Sequence, residues 1–261
     1  MYKHCILSLF VFALAISGCD SRKNITDLSI SNDTAYLGEK EFSGDAYENF
    51  TDGQVKTEMT YKNGLLSGPY SEYYPKGQLR SVGTYKNGKR EGEWFRYYEN
   101  GETYLKGKFA DGKKVGKWQY WYENKNLEYE GSWKNDEQDG LWLSWFKNGN
   151  KHSEIEWNMG VQHGKEIKYY ENGQVRSKGN FINGKQDGLW TWYYEDGSIE
   201  SEENWKEGQP HGKVINFYVS GQKEKEGVWK NGKKHGTFYT WDEAGNMTSE
   251  ENFEEGQLVK N

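Results

Sequence analysis

At 261 residues the chain has room for one large domain or two small ones. Only 34% of it is hydrophobic and its formal charge is −6, which excludes an ordinary aliphatic core and argues against a nucleic-acid groove. Apolar burial must come mainly from 12 Trp, 20 Tyr and 11 Phe, rings that bury about 150–250 Å² each.

The N-terminus reads as a processing segment. Lys3 supplies a cation, Ile6 to Ile16 an apolar run, and Ser17-Gly18 small residues before Cys19. The run is too short for a permanent membrane-spanning helix. Ile16-Ser17-Gly18-Cys19 resembles a bacterial lipobox, which implies a signal peptide over 1–18 and a lipid on Cys19. Cleavage there would remove Lys3 and Cys5, making the mature chain one unit more negative than −6 and spending its remaining cysteine on lipid. Disulfides, cysteine metal sites and a thiol nucleophile are then not expected. Asp20 resembles the signal that retains such proteins in the inner membrane facing the periplasm, with the outer membrane or cell surface as the alternative. Residues 19–43 are expected to be the lipidated Cys and a flexible tether.

From Gly44 the chain is periodic. Gly44, Gly68, Gly92, Gly116, Gly140, Gly164, Gly188, Gly212 and Gly236 fall 24 residues apart, marking nine units over 44–259. Seventeen residues after each glycine stands an aromatic, from Tyr61 to Phe253. Six residues after it stands another, from Phe50 to Tyr218, with Asp242 the exception. Each unit holds two turn signals, such as Asn100-Gly101 and Asn87-Gly88. Asn-Gly between aromatic or β-branched runs marks a hairpin whose two central residues need φ > 0. Two turns per unit give two strands, hence about eighteen strands extending on the order of 85 Å.

A two-residue loop at Asn100-Gly101 would pair Tyr98 with Thr103, Trp94 with Gly107 and Gly92 with Phe109. Gly92, Trp94, Tyr98, Thr103, Gly107 and Phe109 would then share a face, with rings set over glycines. Ala46 and Asp242 replace the usual rings at the ends, as capping units would.

The block Gly92-Glu93-Trp94-Phe95-Arg96-Tyr97-Tyr98-Glu99-Asn100-Gly101, followed by Lys108-Phe109-Ala110-Asp111-Gly112-Lys113, resembles the bacterial MORN-variant repeat. The likeness covers 44–259. It implies an all-β, elongated, curved single antiparallel meander sheet of about nine 24-residue hairpins, serving as a scaffold. Bacterial members of the family are often labelled antitoxins, a cytoplasmic role from which the export signal here departs. Direct lipid binding by the repeats is not expected, because anionic lipid requires Lys/Arg clusters and the domain is acidic.

Chemistry is hard to find in this pattern. His163, His211 and His235 form a column one residue before anchor glycines. Successive units lie roughly 9.6 Å apart, whereas Zn–N bonds span about 2.0–2.1 Å, so one metal cannot bridge them. Glu99, Glu123, Glu171, Glu195 and Glu243 precede first turns and read as solvated hairpin ends. No nucleophile elbow, phosphate loop or Ser/His/Asp set is evident. The expectation is a protein that is not an enzyme and uses no cofactor, metal, nucleic acid or small-molecule substrate.

The sharper candidate is a second aromatic column: Tyr73, Tyr97, Trp121, Trp145, Tyr169, Tyr193, Phe217 and Trp241. It should point to the face opposite the Tyr98 column, where a one-layer sheet exposes rings to solvent or a partner. The leading expectation is a membrane-anchored scaffold binding another, unidentified protein at the bacterial envelope, touching the membrane through its lipid alone. The alternatives are a carbohydrate- or choline-binding module, or an antitoxin-type protein that neutralises a toxin.

Overall fold

The structure, a computed structural model, describes residues 21–259; the expectations for the signal peptide, Cys19 and Asp20 lie outside them. Each of the nine units contributes two antiparallel strands, from Gly44–Asn49 and Val55–Lys62 to Lys233–Trp241 and Met247–Glu254. These eighteen strands pair in chain order into one meander. Short edge strands Lys23–Asn24 and Gln257–Leu258 extend it to twenty. Among the described residues most contacts join neighbouring strands, so the array is quasi-one-dimensional.

The two turns of a unit differ, although both can be written Asn-Gly. At the second turn Lys86 pairs with Lys89, and Asn87 and Gly88 take φ of 50° and 79°, a two-residue loop as expected. At the first turn only Gly101 has positive φ; Gly101 donates to the Tyr98 carbonyl at 2.9 Å, and Tyr98 N–H donates to the Glu102 carbonyl at 2.8 Å. Asn100 Oδ1 accepts instead from the Glu102 N–H, an Asx turn that holds the longer loop. Tyr97, not Tyr98, therefore faces Thr103.

A second irregularity cancels the shift. Tyr104 bulges between Thr103 and Leu105, after which Gly107 faces Trp94 and Phe109 faces Gly92 as expected. The Thr103 position is corrected by this bulge: Thr103 shares a face with Tyr97 instead of with Trp94.

The ring-over-glycine contacts also need correction. Gly107 is register-paired with Trp94, but the ring that covers it is Trp118 from the strand on its other side. The same relation links Gly83 to Trp94, Gly131 to Trp142, Gly179 to Trp190 and Gly227 to Phe238. The anchor glycine Gly92 lies under no ring. It sits at φ 72° where Gly83 faces a bulge spanning Gly92–Trp94, and that bulge leans the indole back across Gly83.

Rings on this face are nearly excluded from water: Trp94, Trp118, Trp190 and Phe238 are each 3% exposed or less. Edge-on contacts join them along the array, with Phe109 and Trp118 at 5.0 Å and Phe181 and Trp190 at 5.2 Å. This is the closed face. Its neighbours in the alternate positions form the open face.

The flexible tether expected before Gly44 is instead a structured cap from residue 21 onward. Ser29–Ser31, Thr34–Leu37 and Lys40–Glu41 form a small antiparallel sheet, and Leu28, Ala35 and Phe42 pack on Ala46, Met59 and Tyr61. Each second turn donates its N–H to a carbonyl 22 residues earlier, as Gly88 does to Leu66 at 2.7 Å. For Gly64 that carbonyl is Phe42, at 2.8 Å. The cap supplies what a preceding unit would.

Candidate functional site

Each of the eight candidate rings is the last residue of a first strand, and all eight are half-buried on the open face. Their backbones are held from the next column. Tyr74, Tyr98, Tyr122, Tyr170, Tyr194 and Tyr218 donate their hydroxyls to the carbonyls of Tyr97, Trp121, Trp145, Tyr193, Phe217 and Trp241, at 2.7–3.0 Å. A ring in one unit thus fixes the strand end of the next. Phe50 and Phe146 occupy that column without a hydroxyl, so Tyr73 and Tyr169 receive no such bond.

The bulge that moved Thr103 widens the row. Tyr73 faces Leu79, Trp121 faces Leu127, Tyr169 faces Val175, Tyr193 faces Ile199 and Trp241 faces Met247. The result is an aromatic–aliphatic band two residues wide, running beside the first turns across the array. Ile199 and Met247 are 37% and 54% exposed. Strand alternation alone placed Thr103, whose position these aliphatic residues occupy in the other units, on the other face. The missed signal was the residue after it, which forms the bulge.

Polar groups punctuate the band. Tyr169 donates to Glu154 at 2.7 Å and Tyr73 to Glu58 at 2.8 Å. Burial, reinforced by Glu154, pushes the Tyr169 phenol up to about 12. Hydrogen bonding from Lys151 and Tyr169 holds the Glu154 carboxyl below the usual carboxylate range despite partial burial. Lys178 and Lys223 lie over the Tyr193 and Trp241 rings at 5.3 and 5.9 Å.

The histidine column has a local use. His163 and His211 Nδ1 accept from the N–H of Asn183 and Asn231, at 3.4 Å. Glu91, Asp187 and Ser43 do the same in their own units. His163 and His211 thus cap second turns, whereas the buried Nδ1 of His235 has no hydrogen-bond partner. The first-turn acids stay apart: Glu99 pairs with Lys76 at 3.1 Å on the exposed margin.

The 24-residue frame recurs as a recognised sequence pattern. The MORN repeat variant matches residues 43–63, 66–87, 90–111, 114–135, 138–159, 162–183, 186–207 and 234–255. The chain belongs to the MORN repeat variant family. Residues 210–231 fall outside the match yet fold alike, with Pro210 and Val214 in place of the commoner Gln or Lys and Trp. No curated protein matches the chain. Among solved structures, it is similar to a chain in the GtfA/B complex bound to UDP and GlcNAc, at 11% identity and TM-score 0.19 over 53% of this MORN chain and 27% of that one. It is also similar to TcdB2-TccC3, at 11% identity and TM-score 0.22 over 89% of this chain and 17% of that one. It spans under a third of the length of either of those chains.

Proposed function

We propose that this MORN-repeat chain is a non-enzymatic scaffold that binds another protein along the open-face band, held at the bacterial envelope by a lipid on Cys19. The observation that carries the binding surface is the unbroken row of eight half-buried rings, each bordered across the strand by the Thr103 column. Completing the burial of one such ring removes on the order of 100 Å² from water, about 2.5 kcal/mol at ~25 cal/mol/Å². Several rings engaged together offset the cost of association. The envelope reading rests on the Ile16–Cys19 sequence, and the inner membrane facing the periplasm is the compartment that Asp20 favours.

The test is photo-crosslinking from the Trp121 and Trp145 positions in the native membrane, set beside a closed-face probe at Ser177. A specific adduct from the first two positions, lost on competition by the Tyr169→Ala protein no better than by buffer, supports the band. Equal adducts from both faces, or an unchanged partner set after Trp121→Ala/Trp145→Ala in a folded protein, would overturn it. Radiolabelled palmitate incorporation that survives Cys19→Ala would overturn the anchor.

A further inference from the structure

The closed face is not uniform along the array. Between the second and fourth units it opens into a cleft of about 370 Å³ whose walls include Tyr70, Trp94, Phe109, Trp118 and Tyr120. Three cations line it. Arg90 lies over the Trp94 and Phe109 rings at 4.8 and 5.2 Å, Lys114 over Trp118 and Trp133 at 4.7 and 4.4 Å, and Arg96 over Tyr104 at 5.8 Å.

These three cations share one cleft and, like many other Lys and Arg side chains of the described residues, form no ion pair. Thirteen Lys and Arg side chains pair with carboxylates, but Arg90, Arg96 and Lys114 have none within ion-pair distance among the described residues. Glu72, the acid in the cleft wall, is engaged by Arg80 at 2.8 Å. Burial lowers the Lys114 ammonium from the ordinary lysine value, and the Arg90 charge adds to that while Asp136 opposes it. A cluster of like charges on ring faces, inside an acidic protein, is short of an anion.

The frame shows that the charge is a local addition. The position held by Arg90 and Lys114 is Gln138, Gln162 and Gln186 in the next three units, all with the same strand geometry. The array therefore folds without a cation there. Lys234 repeats the cation once more, over Phe238 and Phe253, but outside the cleft.

We propose that this cleft is a binding site for a small organic anion, an oxyanion group carried on a flat apolar ring. The guanidinium forks of Arg90 and Arg96, with the Lys114 ammonium, would hold the oxygens. The ring would lie against Tyr70 and Tyr104, the half-buried rings of the wall, in a cleft of the size that suits a small ligand. The site is on the opposite face from the protein-binding band and does not depend on it.

The experiment is calorimetry of the purified full-length protein with 2-naphthoate, 2-naphthyl phosphate and neutral 2-naphthamide. One or both anions should bind at least about tenfold more tightly than the amide, since charge-assisted hydrogen bonds carry the difference; which anion leads distinguishes carboxylate from phosphate ligands. Arg90→Gln/Lys114→Gln, which copies the residues of the neighbouring units, should remove that preference while the protein keeps a cooperative thermal transition. Lys234→Gln should leave binding unchanged. Equal affinity for anions and amide, failure of both anions to bind, or an equal loss in Lys234→Gln would overturn the proposal.

Discussion

Gly107 and Trp118 occupy one volume: a Cβ built on Gly107 would lie 2.1 Å from Trp118 Cδ2. The indole is held by Phe109 at 5.0 Å and Tyr120 at 6.1 Å, so it has little freedom to withdraw. Gly107→Ala is expected to cost about 2–3 kcal/mol through overpacking. Urea midpoints at equal m-value would measure it. A loss below about 0.5 kcal/mol would remove the close approach as the reason for this glycine.

The same pairing predicts compensation between positions eleven residues apart. Where the glycine is Ile155 its partner is Glu166, 3% exposed and bonded to Lys168 at 2.9 Å; where it is Glu203 the partner is Val214. Large residues on one strand meet smaller or bendable ones on the next. Gly131→Ala combined with Trp142→Val should be less destabilising than the sum of the single changes, by about 1 kcal/mol or more in a double-mutant cycle. Additive losses would mean that the two sites do not share space.

The strand count, the second turns and the two long-range pairs Trp94–Gly107 and Gly92–Phe109 were legible because a 24-residue frame repeats their chemistry nine times. The first turn was not, since Asn-Gly serves both turns and only the use of the Asn side chain separates them. Asn87 adopts positive φ, whereas Asn100 spends its Oδ1 on Glu102. The cap escaped notice because its strands are two to four residues long and occur once, leaving no period to read. Of the candidate site, the ring row could be read from alternation, but its aliphatic border could not, because the Tyr104 bulge breaks the alternation. The cation column was visible in the frame at 90, 114 and 234 and gained meaning only when the rings beneath it were placed.

The tyrosine ties between units predict a gain as well as a loss. Tyr98→Phe removes the 2.7 Å bond to the Trp121 carbonyl and should cost about 1 kcal/mol. Phe146→Tyr should recover up to about that amount, because Tyr169 offers the equivalent carbonyl and five of the neighbouring units already make the bond. Thermal midpoints that move in the same direction for both variants would show that the hydroxyls are not the cause.

Alkaline pH should unfold the array before its tyrosines would ordinarily be ionised throughout. Burial, the leading cause in each case, raises Tyr70 and Tyr120 from the ordinary 10.0 to about 12. Between about pH 10 and 12 the folded chain then holds protons that the unfolded chain has released. Stability is full below pH 10 and falls as pH rises through that window. Tyr120→Phe should flatten the decline in urea midpoint between pH 9 and 11. A slope unchanged by that substitution would place the sensitivity elsewhere.

Because contacts along the array are between neighbours, damage at one end should stay there. Phe42 is 7% exposed, meets Tyr61 at 5.9 Å, and gives the carbonyl that receives the Gly64 N–H. Phe42→Ala removes the ring and leaves the carbonyl, so its cost, about 3 kcal/mol for a buried Phe, reports packing of the cap. Hydrogen exchange should quicken at amides of Gly44–Asn49 and Val55–Lys62 while Lys185–Tyr193 keeps its protection. If the cap were an ornament on a self-sufficient first unit, exchange would change only before residue 43. If the sheet unfolded as one body, protection would fall equally in every unit. The intermediate outcome, loss graded over the first hairpins, is the one that a laterally stacked array with a structured end requires.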